Sequence, residues 1–217
     1  MSTPIEDYGF IGDTETGALV SRQGSIDWLC LPRFDSGACL AALLGDQSHG
    51  RWLLGPASGA SSVRRRYRDE TLILETEFED ESGSVRVVDL MPPRARQPDL
   101  VRVVEGLRGR VPMRTHLTLR FDYGAAVPWV HPIEGGLLAV AGPDAIRLQA
   151  PVELLHEDSE VTGEFTVAEG QRVPLVLSWH PSYESAPAPI DGLAALEQTE
   201  KWWQAWAEPC TYDGQWP

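Results

Sequence analysis

The sequence predicts an all-β protein, an antiparallel β-sandwich, on three observations. From about Tyr67 to His180, short runs of Val, Leu, Ile, Thr and aromatic residues follow one another, each bounded by Gly, Pro, Asp or Ser clusters. Their spacing is near the ~8 to 12 residues of sandwich strands. No segment of this stretch has a helical period, which excludes a parallel βαβ sheet and the nucleotide-binding architectures built on it.

In chain order, Gly17 to Ser21 and Ile26 to Leu31 read as strands, followed by a short helix near 38–45 that Gly45 and Asp46 close. In the Arg64-Arg65-Arg66-Tyr67-Arg68 run, strand alternation sets Arg64, Arg66 and Arg68 on one face, opposite Arg65 and Tyr67. In an acidic chain that run reads as a solvated, salt-bridged face in preference to an anion site. Leu72, Leu74, Thr76 and Phe78 alternate with Ile73, Glu75 and Glu77, and beyond the turn-forming Glu81 to Ser84, Val85, Val87 and Asp89 alternate with Arg86 and Val88. The two runs predict a hairpin. Further strands are expected over Leu100 to Leu107, Thr115 to Tyr123, Leu137 to Val140, Ala145 to Gln149, Glu164 to Val167 and Val173 to Trp179.

After Ser185-Ala186-Pro187-Ala188-Pro189 the character changes: Asp191 can cap a helix running through Leu193, Leu196, Trp202, Trp203 and Trp206 toward Glu208-Pro209. The chain then divides into a sandwich over residues 1–184 and a linker with a Trp-rich helix over 185–217, ending at Trp216-Pro217. Three tryptophans on one short helix need a surface to bury them, in the sandwich or in a partner.

The composition bounds the function. With 217 residues and 42 % hydrophobic side chains the chain can build a proper core as one large domain or two small ones. With 32 acidic against 18 basic residues, a net charge of −14, its surface repels nucleic acid and anionic membranes. No apolar run approaches the ~18 residues of a membrane span, and Met1 to Phe10 has no signal-peptide pattern, so a soluble, cytoplasmic protein is expected. Cys30, Cys39 and Cys210 are odd in number and widely spaced, which reads as reduced, buried thiols; with no Cys/His cluster, neither a metal nor a cofactor is expected.

Strong catalytic motifs are absent: there is no Gly-x-Ser-x-Gly elbow, phosphate loop, His-Glu-x-x-His or calcium loop. The scattered His49, His116, His131, His156 and His180 read as satisfied structural histidines. Eight tryptophans raise the idea of sugar binding, because a flat indole suits the C–H face of a pyranose, yet Trp28, Trp52 and Trp179 sit in strand-like runs and read as core. Glycoside hydrolysis needs only an acid and a base ~5 to 10 Å apart, so the 32 acidic residues single out no pair.

Specificity enters between Ile5 and Pro56. The runs Ile5 to Asp13, Ala18 to Ser21, Gly24 to Ser36, Leu43 to Gly45 and Gly50 to Trp52 resemble the opening of bacterial and archaeal glycoside hydrolases of family fifteen, the glucoamylases, glucodextranases and trehalases. The resemblance extends more loosely over the chain, through Val88-Asp89-Leu90-Met91-Pro92 and Thr199 to Trp206. It implies an N-terminal antiparallel sandwich of the supersandwich, galactose-mutarotase-like type, joined by a helical linker to an (α/α)6 barrel. In that family the barrel carries two catalytic glutamates and inverts the anomeric configuration: one protonates the glycosidic oxygen and the other activates water on the opposite face. No position here matches those glutamates and the sequence ends where the barrel would begin, so the chain alone is expected to be inactive. The implied partners are its own C-terminal barrel and, through the whole enzyme, an α-glucan or trehalose.

The site candidates that remain are Arg33, Phe34 and Asp35, which either line the barrel interface or the rim of its sugar pocket, or form an internal ion pair that pins their loop. Trp202, Trp203 and Trp206 are the expected aromatic anchors between helix, sandwich and barrel. Two other function classes stay open: a stand-alone carbohydrate-binding module with Trp129 as platform, and a dimerisation scaffold whose aromatic helix pairs with a second copy.

Overall fold

Apolar side chains at every second position draw the strands into two stacked antiparallel sheets, described over residues 4–211 in a computed structural model. The first sheet opens with β1 (Tyr8–Gly12), β2 (Gly17–Ser21), β3 (Ser25–Cys30), β4 (Ala38–Leu40) and β5 (Arg51–Pro56). The second opens with β6 (Ser62–Tyr67), β7 (Leu74–Asp80) and β8 (Gly83–Leu90). After the long β9 (Asp99–Thr118), the second sheet also takes β10 (Trp129–Ile133), β11 (Gly136–Ala141), β12 (Asp144–Gln149) and β15 (Arg172–Pro181), while β13 (Leu155–Glu157) and β14 (Glu160–Ala168) return to the first. The single α-helix among the described residues, α1 (Gly192–Ala207), follows. The end at Trp216-Pro217 lies outside the described residues.

Strand β9 belongs to both sheets. Its first half pairs with β8 and β15, its second half with β5 and β14. The sequence reading expected two separate strands here; the structure has one, because glycine lets the chain turn from sheet to sheet without breaking. A Cβ on Gly106 would lie 2.0 Å from the Ala168 carbonyl oxygen, and Gly109 has φ +72. The β7–β8 hairpin is as expected: Asp80 pairs with Gly83, and the Asp80 carboxylate accepts from the Ser82 and Gly83 amides to hold the turn.

The helix expected near 38–45 is a strand followed by one 3-10 turn, β4 and then Ala42–Leu44. Residues 38 to 41 are wholly buried, and Ala38 and Leu40 pair with Cys30 and Leu29, so sheet hydrogen bonds and burial outweigh local helical preference.

Between the sheets lie Ile11, Val20, Leu29, Trp52 and Leu54 from one side and Phe78, Val85, Val87, Leu100, Leu175 and Leu177 from the other. The second sheet is buried on its outer face too. Ile73, Val88, Leu90, Val101, Val103 and Val176 pack under Leu196 of α1, whose first turn Asp191 caps by accepting from the Leu193 and Ala194 amides.

Arg102 and Asp89, cross-strand partners on β9 and β8, are both fully buried between the sheets. The guanidinium donates to Asp89 at 2.7 and 3.3 Å, to the Trp52 carbonyl at 2.8 Å and to the Gly24 carbonyl at 2.8 Å. Replacing Asp89 by Ala leaves a buried guanidinium uncompensated, an expected loss of about 3–5 kcal/mol visible as a lower urea midpoint. The apolar double variant D89L/R102M should lose far less, because no charge is left stranded.

Candidate functional site

The Arg33-Phe34-Asp35 loop joins β3 to β4 at the surface. Arg33 donates to both Asp35 oxygens, at 2.9 and 2.7 Å, so the internal ion pair is formed. Both side chains are more than 60 % exposed, however, and a pair that open to water holds a loop only weakly. The bonding to Arg33 sets the Asp35 carboxyl below the ordinary carboxylate range. Phe34 is 56 % exposed and stacks on Phe10 with ring centroids 6.3 Å apart. Phe10 is in turn held by Tyr67, whose hydroxyl accepts from the Phe10 amide and donates to its carbonyl.

The anchor of this loop is Arg94, 81 residues from one of its partners. Its Nε donates to Asp13 at 2.7 Å, its Nη2 to the Pro32 carbonyl at 2.6 Å, and its Nη1 lies 3.4 Å from Glu15. Asp13 is fully buried and also accepts from the Glu15 and Thr16 amides, closing the β1–β2 turn in which Thr14 has φ +79. On the other side of the loop the Tyr123 ring lies 6.0 Å from that of Trp28, in a turn where Asp122 and Tyr123 both have positive φ. Strand-like composition carried the expected strand through Tyr123; the left-handed turn ends the sheet at Thr118 instead.

On α1, Trp203 is 7 % exposed and meets the edges of Trp202 and Trp206, at 4.8 and 5.7 Å. Trp202 is 39 % and Trp206 67 % exposed, so the helix buries one indole and presents two. Ion pairs clamp the same helix to the outer face of the second sheet. Glu200 meets Arg68 at 2.7 Å, and Arg68 meets Glu75 at 2.7 Å; Arg66 and Arg86 also reach Glu75, at 2.8 and 3.6 Å. The expected salt-bridged arginine face is therefore present, with Arg65 on the opposite side donating to the Val20 carbonyl. Burial works to raise the Glu75 pKa, but the hydrogen bond from Arg68 and the charges of Arg86, Arg68 and Arg66 outweigh it and hold the carboxyl below its ordinary range.

Arg94 holds the Pro32 carbonyl beside Arg33 and lines an open cleft together with Trp202, but among the described residues no hydrogen bond, ion pair or ring contact joins the Arg33–Asp35 loop to the tryptophans of α1. Arg94 and Asp13 escaped sequence reasoning as a pair because no spacing rule links positions so far apart. Trp52 is core and donates to Thr115, and Trp179 donates to Asp144, as their strand positions implied. Trp129 is 70 % exposed on β10, stacked at 4.4 Å on His131. Cys30 and Cys39 are buried, and burial pushes the Cys39 thiol up; Cys210, read as buried, is exposed in the turn beyond α1. His131 and His180 depart from the reading of satisfied histidines, since the buried Nδ1 of the first and Nε2 of the second have no hydrogen-bond partner, while His180 Nδ1 lies 2.9 Å from the Pro181 carbonyl and His116 Nε2 reaches Glu160 at 3.4 Å.

The family model for trehalase-like N-terminal domains matches residues 1–187. The chain is 32 % identical to a trehalase of Mycolicibacterium smegmatis, covering 94 % of this chain and 34 % of that protein. To a trehalase of Mycobacterium tuberculosis it is 31 % identical over the same shares, and to one of Thermoplasma volcanium 24 % identical over 97 % of this chain and 35 % of the other. It thus spans about a third of the length of the trehalases it matches. The crystal structure of a bacterial glucoamylase complexed with acarbose shares its fold, with a TM-score of 0.61 at 10 % identity over 96 % of this chain and 38 % of that one. No helix among the described residues is long and apolar enough to cross a membrane.

The Glu75 cluster has a pH signature. A carboxyl with a depressed folded pKa stabilises the fold above its unfolded value of about 4.3, and that contribution is lost as pH falls through the lower folded value. Urea denaturation is expected to show Glu75→Gln well below the parent chain in stability at neutral pH. The gap should narrow as the pH is lowered from the ordinary carboxylate range through the depressed folded value.

Proposed function

The chain belongs to the trehalase-like N-terminal domain family, and on that premise we propose that it is the non-catalytic sandwich domain of a trehalase- or glucoamylase-like glycoside hydrolase. One observation carries this reading: the match runs through nearly the whole of this chain and through only about a third of each trehalase. The remaining two thirds supply the chemistry, inverting hydrolysis of an α-glucosidic bond by two glutamates on an (α/α)6 barrel, with trehalose or an α-glucan as substrate. The enzyme works in the cytoplasm.

Residues 1–184 then serve as the platform and 185–217 as the connection to the barrel. The barrel docks against the surface around Arg94, where the Arg33–Asp35 pair and Phe34 stand on one side and Trp202 and Trp206 on the other. Trp203, already buried, fixes the helix that presents its neighbours. Exposed aromatics on rigid elements are the usual anchors of such interfaces. A second reading, a carbohydrate-binding module, is favoured only by Trp129, whose exposed indole stacked on His131 makes a flat platform.

Glucose release from trehalose and maltose, compared between the 217-residue chain and the same chain continued into its barrel, tests the assignment. Activity is expected only with the barrel attached; hydrolysis by the chain alone, abolished by substituting one of its carboxylates, would overturn it. In the complete enzyme, Phe34→Ala with Trp206→Ala should weaken domain association by roughly 2 to 4 kcal/mol. Calorimetry would register this as sandwich and barrel melting apart where the parent melts as one, and an unchanged melt would place the interface elsewhere.

A further inference from the structure

The two outer faces of the sandwich differ. That of the second sheet carries α1, whereas on the first sheet the outward side chains of the second half of β9, of β14 and of β13 stand open, with Arg114, Thr162, Glu164 and Leu155 exposed. Strand register sets these outward residues in rows across β5, β9, β14 and β13. One row reads Arg51, Thr118, Glu160, Glu157; the next Leu53, His116, Thr162, Leu155; the third Gly55, Arg114, Glu164. Trp52, Leu54, Leu117 and Val161 alternate with them and fill the core, which turns the rows to the outside.

Charge divides this face lengthwise. Its cations, Arg51, Arg110 and Arg114, stand on β5 and β9, and its acids, Glu157, Glu160 and Glu164, on β13 and β14. Among the described residues the face holds one ion-pair contact, His116 Nε2 to Glu160 at 3.4 Å, and Arg51, Arg110, Arg114, Glu157 and Glu164 have no side-chain hydrogen bond or ion pair. In a chain of net charge −14 this balanced patch is where a second copy is not repelled.

We propose that the outward face of β5, β9, β14 and β13 is the two-fold interface of a homodimer. A two-fold axis above the sheet, parallel to the strands and midway between β9 and β14, sets β9 of each copy over β14 of the other and β5 over β13. Positions along the strands are unchanged by that rotation, so the rows meet themselves reversed. Arg114 then lies against Glu164 of the second copy, Arg51 against its Glu157, and Leu53 against its Leu155, which is 64 % exposed in the single chain. An axis across the strands would lay arginines on arginines instead. Four strands at ~4.8 Å spacing and ~3.4 Å per residue give the face a footprint of roughly 500 Å² in flat projection, and side-chain relief brings it toward the ~800 Å² per partner of a standard interface. Because it lies across the sandwich from α1, the dimer leaves the tryptophans of that helix uncovered and stands apart from the proposed function.

Sedimentation velocity of the 217-residue chain over a range of concentrations tests this. A monomer–dimer equilibrium with a roughly micromolar dissociation constant is expected. Arg114→Glu and Glu164→Arg each set like charges together twice per dimer and should each raise that constant about a hundredfold, with an unchanged circular dichroism spectrum. Mixing the two single variants, or joining both changes in one chain, restores opposite charges across the axis and should restore the dimer. Trp206→Ala should leave it intact. A monomer at every concentration, a dimer indifferent to both reversals, or a mixture of the two variants that stays monomeric would each overturn the proposal. So would loss of the dimer with Trp206→Ala, which would assign it to the aromatic helix, or its loss when the chain is continued into its barrel, which would assign the face to the barrel.

Discussion

A buried arginine ties the two sheets of this domain to one another. Arg102 extends from the second sheet into the core, meets Asp89 on the adjacent strand, and crosses to the carbonyls of Trp52 and Gly24 in the first sheet and its turn. Its guanidinium also lies 5.1 Å from the centre of the Trp52 ring. Burying two ions costs several kcal/mol each, and only near-complete hydrogen bonding offsets that. The net stabilisation is therefore small, but the constraint is strict. A one-residue slip of β8 on β9 would turn Asp89 to the opposite face of the sheet and leave Arg102 alone in the core, so the pair admits one register of β8 on β9.

Everything that presents the surface candidates depends on that arrangement. With β9 passing from one sheet to the other, the outer face of the second sheet becomes a seat for α1, greasy at Val88, Val101 and Val103 and charged at Glu75 and its arginines. The helix is held by both kinds of contact, Leu196 on the apolar stripe and Glu200 on Arg68. Its tryptophans are thus displayed in a fixed direction. Arg94, pinned to the buried Asp13, does the same for the Arg33 to Asp35 loop.

Ion pairs fix the layout of this domain. Its strongest electrostatic groups are spent in pairs: Arg102 with Asp89, Arg94 with Asp13, Glu75 with three arginines. Such pairing positions backbone and helix. The exposed Phe34, Tyr123, Trp202 and Trp206 are instead the groups a neighbouring surface would cover.

Local pattern alone determined many of the strands, though not β1, β5, β10 or β13, together with the β7–β8 hairpin, the arginine face and the capped terminal helix, because period-two alternation, turn residues and caps act over a few neighbouring positions. The short runs between Ile5 and Pro56 pointed to a trehalase- or glucoamylase-like N-terminal domain for the same reason, each being contiguous in itself. Tertiary structure decided the rest. Whether Ala38 to Leu40 became helix or strand, whether Leu100 to Thr118 was one strand or two, and which face of Val88 was covered all turned on partners distant in the chain. The site divides likewise: Arg33, Phe34, Asp35 and the tryptophans were legible as exposed, chemically distinctive residues. The bonds by which Arg94 holds Asp13 and the Pro32 carbonyl were not, because a hydrogen bond made across the fold leaves no mark on the local sequence.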